Sequence, residues 1–67
     1  MLLLQINGKP REIAGECNVE QLVSTLQLDG KRFAIELNGE IVPKSRHAAT
    51  CLKNGDSLEV VIAVGGG

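Results

Sequence analysis

Leu2-Leu3-Leu4-Gln5-Ile6-Asn7-Gly8-Lys9-Pro10-Arg11-Glu12-Ile13 is the stretch on which the reading of the fold turns. An apolar run of strand length leads into Asn-Gly, the dipeptide that best tolerates the two left-handed residues of a tight hairpin. Lys9 to Ala14 then reads as the return strand, with Ile13 as its clearest core residue. Pro10 has no N–H to donate, so the return strand belongs at an edge or starts there.

Working outward, the next segment changes period. Asn18 followed three residues later by Gln21 forms a capping-box pair. Val19, Leu22, Val23 and Leu26 fall at i, i+3, i+4 and i+7, one apolar stripe of a helix, with Glu20, Gln21, Ser24, Thr25 and Gln27 on the wet side. Asp29-Gly30 is the expected stop, because glycine accepts the left-handed C-terminal conformation. Phe33 to Leu37 reads as a third strand, Asn38-Gly39 as a second hairpin turn, and Glu40 to Val42 as a short fourth strand ended by Pro43. Lys44 to Thr50 predicts no more than an irregular helical turn. Asn54-Gly55-Asp56 is a third turn, and Ser57 to Val64, rich in β-branched residues, is the last strand.

A helix that follows a hairpin and precedes further strands packs most simply on one face of a mixed sheet of four or five strands, an α+β arrangement. The first and last strands then lie side by side at its centre. Strand parity assigns Leu2, Leu4 and Ile6, with Leu58, Val60, Ile62 and Val64, to the helix side. Leu3, Val61 and Ala63 fall on the outer side and are candidates for an exposed apolar docking patch.

The totals exclude several functions. A chain of 67 residues is one domain and buries only about 60% of its unfolded surface, which leaves no room for a deep cleft beside a core. Seven Lys and Arg against eight Asp and Glu, with no cationic run longer than two, argue against a nucleic-acid partner. Phe33 is the sole aromatic, too few for base stacking. No segment approaches the roughly 20 apolar residues of a membrane span, and Met1 to Leu4 is too short for a signal-peptide core, so a cytoplasmic location is expected. Cys17 and Cys51 fit neither CxxC spacing nor a disulfide framework. They read as small, partly buried apolar residues. His47 is a lone histidine without an activating partner, no cluster has metal-ligand spacing, and Glu36, Glu40 and Glu59 read as solvated strand charges.

The chemistry points to the end of the chain. Gly65-Gly66-Gly67 directly follows the last strand. With glycine at about 7% of average composition, such an end arises by chance in roughly one chain in three thousand. Three residues without side chains make a thin thread of roughly 10 Å, able to enter a channel where any Cβ would meet the walls. The organisation expected is a folded domain over 1–64 and a flexible tail over 65–67. The Gly67 carboxylate is unhindered but a poor electrophile. Activation as an acyl-adenylate requires ATP, and this chain has neither a Walker motif nor GxGxxG spacing to bind it. The chain is then the carried group and not the enzyme.

Three stretches resemble the ThiS family of sulfur carriers in thiamine biosynthesis: Phe33-Ala34-Ile35-Glu36-Leu37-Asn38-Gly39-Glu40-Ile41-Val42-Pro43-Lys44-Ser45, Leu52-Lys53-Asn54-Gly55-Asp56-Ser57-Leu58-Glu59-Val60-Val61, and Ala63-Val64-Gly65-Gly66-Gly67. Ile6-Asn7-Gly8-Lys9 is also similar, though less specific. The resemblance implies a ubiquitin-like β-grasp fold and no cofactor bound by the chain. It implies a ThiF-type adenylating enzyme that uses ATP, a cysteine desulfurase or other sulfur donor, and delivery from a Gly67 thiocarboxylate to the thiazole synthase ThiG. Gly65 and Gly66 would supply the thread. Many relatives end in two glycines where this chain has three. The small subunit of molybdopterin synthase and ubiquitin-like protein modifiers share the fold and the glycine end and stand as alternatives.

Overall fold

The computed structural model describes residues 1–28 and 30–63. Five strands and one helix follow in the order β1 (Leu2–Ile6), β2 (Lys9–Ile13), α1 (Val19–Thr25), β3 (Phe33–Leu37), β4 (Glu40–Val42) and β5 (Ser57–Ile62), with a 3-10 turn at Lys44–Arg46. The sheet order is β2-β1-β5-β3-β4. β1 and β5 are parallel neighbours at the centre, while the other pairings are antiparallel. This is one helix on a mixed five-stranded sheet, the β-grasp arrangement expected.

Both Asn-Gly dipeptides make the turns their chemistry favours. Asn7 and Gly8 have φ of 53° and 79°, and Asn38 and Gly39 have 50° and 88°. These left-handed pairs match the twist of the flanking strands. β2 lies at the edge, where the missing N–H of Pro10 faces no strand. Parity holds at the centre of the sheet: Leu4 and Leu58 are fully buried, and Leu2, Ile6 and Val60 pack against the same core. Val19, Leu22, Val23 and Leu28 from the helical segment meet them, with Ile35, Leu52 and Cys17 completing the buried cluster. Ile62, on the same side by parity, is 42% exposed because it lies past the core cluster.

The helix start is fully accounted for. The four N–H groups that have no partner within the helix are those of Asn18 to Gln21: Val19 donates to the Thr50 carbonyl (3.0 Å) and Glu20 to that of His47 (3.2 Å). Gln21 donates to Asn18 Oδ1 (2.7 Å), and the regular i→i−4 ladder begins with Leu22 donating to the Asn18 carbonyl (3.0 Å). The Asn18 N–H donates in return to Gln21 Oε1 at 2.9 Å, completing the capping box. Two of the four acceptors therefore come from the 47–50 loop, part of the segment for which the sequence predicts no more than an irregular helical turn. That loop is a succession of tight turns, with Arg46, His47, Ala49 and Thr50 each donating to a carbonyl three residues back.

The helix end corrects the expectation. The helix stops at Thr25, with Gln27 in the left-handed region at φ 59°. Gln27 donates to Ser24 O and Leu28 to Val23 O, both at 3.0 Å, the two bonds of a Schellman motif. Leu28, 4% exposed, drops into the core beside Val23, and the chain turns at Gln27, three residues before Gly30. Burial of one leucine, worth about 1.5–3 kcal/mol, outweighs the 1–2 kcal/mol or so that a non-glycine pays in this conformation. Gly30 is also left-handed (φ 82°) but serves the following turn. Asp29, the other half of the expected stop, lies outside the described residues.

Candidate functional site

The feature that leads to the glycine end is β5, and the structure holds it from both sides. Two residues of β1 pair with it, Gln5 with Ser57 and Ile6 with Leu58. Beyond them the Asn7 side chain continues the ladder: its Oδ1 accepts from the Val60 N–H at 2.7 Å and its Nδ2 donates to the Val60 carbonyl at 3.2 Å. On the opposite side β3 pairs from Leu37 with Leu58 to Phe33 with Ile62, and Ala63 donates to the Arg32 carbonyl at 2.9 Å. Asn38 mirrors Asn7, its Oδ1 accepting from Ser57 N at 3.0 Å and its Nδ2 donating to Asp56 Oδ1 at 3.1 Å. In the turn before β5, Asn54 Oδ1 accepts from Leu3 N and Gly55 N donates to Leu3 O, both at 2.8 Å. Three asparagines recognised in the sequence only as turn residues thus tie the central strands together through their side chains. Their left-handed or turn positions leave the short amide free to reach a neighbouring backbone.

Val64, Gly65, Gly66 and Gly67, and with them the end of the expected last strand and the boundary between domain and tail, lie outside the described residues. The candidate docking residues lie within them. Leu3 is 48% exposed, Val61 58%, and Ala63 is exposed too. They do not form one patch. The β1–β5 register places Leu3 level with Gly55, six residues and about 20 Å along the sheet from Val61. Val61 instead stands opposite Ala34, at the end where the chain runs on towards the glycines. Ile41, 63% exposed, faces the same side from β4, opposite Glu36. Glu36 in turn faces Glu59 across β3 and β5, a like-charge pair that costs a few tenths of a kcal/mol to about 1. The outer face is therefore apolar towards the tail and acidic at its middle. Parity alone placed Val61 and Ala63 on this side. Only the register separates Leu3 from them and adds Ala34 and Ile41.

The remaining sequence candidates resolve as structural. His47, 7% exposed, lies with Nε2 3.2 Å from the Val42 carbonyl and its ring stacked on Phe33 at a centroid distance of 6.0 Å. Cys17 and Cys51 are both free. Asn18 bridges to Cys51 while Leu52 N donates to Cys17 O at 2.8 Å, so the two thiols point to opposite sides of the ladder. Cys17 is buried and Cys51 exposed, and burial raises the pKa of the Cys17 thiol above its ordinary range. Asp56 Oδ2 accepts from Lys53 N at 2.7 Å, the turn role expected of it. Among the described residues no three His, Cys, Asp or Glu side chains are grouped to hold a metal ion, and no helix is long and apolar enough to cross a membrane.

Comparison with known proteins agrees with this geometry. A thiazole synthase from Paramagnetospirillum magneticum is 44% identical over 64 residues, covering 96% of this chain, but the chain spans only 20% of that protein's length. The sulfur carrier protein ThiS of Bacillus subtilis is 35% identical over 66 residues, covering 97% of this chain and 100% of that protein. The crystal structure of the thiamine biosynthesis protein ThiS from Geobacter metallireducens superposes with a TM-score of 0.83 at 36% identity, covering 98% of this chain and 100% of that one. The ThiS family profile matches residues 4–67, nearly the whole length and the glycine end included, and the chain belongs to the ThiS family.

Proposed function

We propose that this chain is a sulfur carrier of thiamine biosynthesis and that the Gly67 carboxylate is its working group. It is the protein co-substrate of other enzymes and not itself a catalyst. The carboxylate oxygen attacks the α-phosphorus of ATP held by a ThiF-type adenylating enzyme, and pyrophosphate leaves. A persulfide sulfur, drawn from cysteine by a desulfurase or another donor, displaces AMP and forms an acyl disulfide. A thiol then reduces the S–S bond and releases the Gly67 thiocarboxylate, which delivers sulfur to a ThiG-type thiazole synthase. The chain binds no cofactor in this scheme, since ATP sits in the partner.

The observation that carries the reading is the match to the ThiS family through Gly67, at the end of a strand clamped in the centre of the sheet. A firmly held β5 supports it physically, because a thread can be delivered to a fixed point only from a fixed root. The thiazole synthase relatives contain a counterpart of 96% of this chain, which supports ThiG as the acceptor. Gly65 and Gly66 enter the partner's channel, and Val61 and Ala63 dock beside it, with Leu3 as a separate contact at the far end of the same face.

Intact-mass measurement after incubation with ATP, a ThiF-type enzyme and a sulfur donor tests the reading. Exchange of one oxygen for sulfur, mapped to Gly67, is expected. An unchanged mass with a demonstrably active enzyme refutes it, and conjugates through lysine would assign the chain to the protein modifiers.

A further inference from the structure

Two adjoining clefts, with volumes of about 430 and 410 Å³, share Lys31, Arg32, Phe33, Lys44 and His47 as their lining. Phe33 is the β3 partner of Ile62, and Arg32 receives the Ala63 N–H, so the clefts open beside the last described residues before the tail. Their floor is formed by two packed rings. The Phe33 and His47 rings stack with an interplanar angle of 24°, and the Val42 carbonyl lies at hydrogen-bond distance from the His47 ring. Their rim is cationic among the described residues: three of the chain's seven Lys and Arg line them, and Glu20 on the first cleft is the one described carboxylate. The chain as a whole carries a net charge of −1, so among the described residues the cations are concentrated here. On the outer side the second cleft runs into the apolar shelf of Ala34, Ile41 and Pro43.

We propose that these clefts are a docking site for a carboxylate-bearing loop of the adenylating enzyme, which reads Lys31 and Lys44 while the glycine tail enters its channel. The inference rests on the sulfur-carrier reading for the identity of the partner. Exposed lysines hold no small anion tightly, but their long mobile stems suit steering of an oppositely charged protein surface. Charges on a rim act mainly on the encounter rate and are screened by salt. The apolar shelf then supplies the area that shuts water out around them. The site thus orients the carrier about its tail, which residues without side chains cannot do for themselves.

The test compares the double reversal Lys31→Glu/Lys44→Glu with Lys9→Glu/Arg11→Glu. The second pair makes the same change in net charge on β2, at the opposite edge of the sheet. Far-UV circular dichroism and thermal melts establish that both fold. Steady-state adenylation by the ThiF-type enzyme is then measured from low to high ionic strength. At low salt KM is expected to rise roughly tenfold or more for the cleft reversal with kcat unchanged, the difference from wild type should shrink as salt is added, and the β2 reversal should remain close to wild type. Equal effects of the two reversals, no effect of either, or a fall confined to kcat would overturn the proposal. Saturable binding of inorganic phosphate to the isolated chain, with amide shifts centred on Lys31 and Lys44, would overturn it too by assigning the clefts to a small anion. If wild type is not adenylated at all, the sulfur-carrier reading fails and the docking assignment falls with it. A normal wild type with an indifferent cleft variant sinks only the latter.

Discussion

Replacing Asn7 by glycine should release the β5 strand locally while leaving the first hairpin intact. Asn7 sits at φ 53°, where glycine is at ease, so Asn7→Gly preserves the turn and removes only the amide. That amide makes two bonds to Val60, at 2.7 and 3.2 Å, and both are exposed to solvent. Exposure puts each at the lower part of the usual range, about 0.5–1 kcal/mol net, so the clip contributes about 1–2 kcal/mol to holding Val60. The Val60 N–H would then exchange with solvent roughly 5- to 30-fold faster, beyond any change common to all amides. Asn7→Asp provides the contrast. It keeps the acceptor for Val60 N–H, now charged, and loses only the donor, so the Val60 amide should stay protected. Residue-resolved hydrogen exchange by NMR, corrected with the global stability from urea unfolding, measures both variants. Unchanged protection at Val60 in Asn7→Gly, or equal loss in both variants, would refute the argument that a turn side chain extends the central ladder.

Leu58→Ala empties the centre of the core, where Leu58 is fully buried between Ile6 and Leu37. The expected loss of about 2–5 kcal/mol is comparable with the roughly 3–10 kcal/mol that a domain of this length commands, so thermal melting should show a partly or wholly unfolded chain at 37 °C. Gln27→Gly should raise the urea midpoint by an amount equivalent to at most about 1 kcal/mol, because it relieves the left-handed Schellman position at a smaller entropic cost; a lowered midpoint would mean that the glutamine side chain contributes. Thiol alkylation followed by peptide mass analysis should label the exposed Cys51 well before Cys17. The raised pKa of Cys17 means that its protonated form is favoured in the folded state. Its contribution to stability is therefore complete below the ordinary thiol range and declines as pH rises through the folded value; Cys17→Ser, tested by urea unfolding across that range, should remove this component of the slope.

The local chemistry of the chain was legible without coordinates wherever a signal lies within a few residues. Asn-Gly imposes left-handed backbone on two successive residues, so both hairpins could be placed. Asn18 and Gln21 satisfy one another within a single turn, so the helix start could be placed. Alternation with period two distinguishes Leu4 and Leu58 from Leu3 and Val61, and the glycine end needs no structure to be noticed. Tertiary structure decided whatever depends on two distant segments meeting. The helix ends at Gln27 and not at Gly30 because the core accepts Leu28, and propensity is weaker than the burial of a leucine. The 47–50 loop became definite because the N–H groups of the helix start need its carbonyls. Leu3 and Val61 share a face by parity, yet they lie about 20 Å apart because β1 and β5 run parallel in a register that no local pattern encodes. The same holds for Lys31 and Lys44, thirteen residues apart in the chain, which line shared clefts only because β3 and β4 fold back beside the root of the tail. Short-range sterics and hydrogen bonding are written into neighbouring residues, whereas register and juxtaposition are set by the packing of the whole chain around one core.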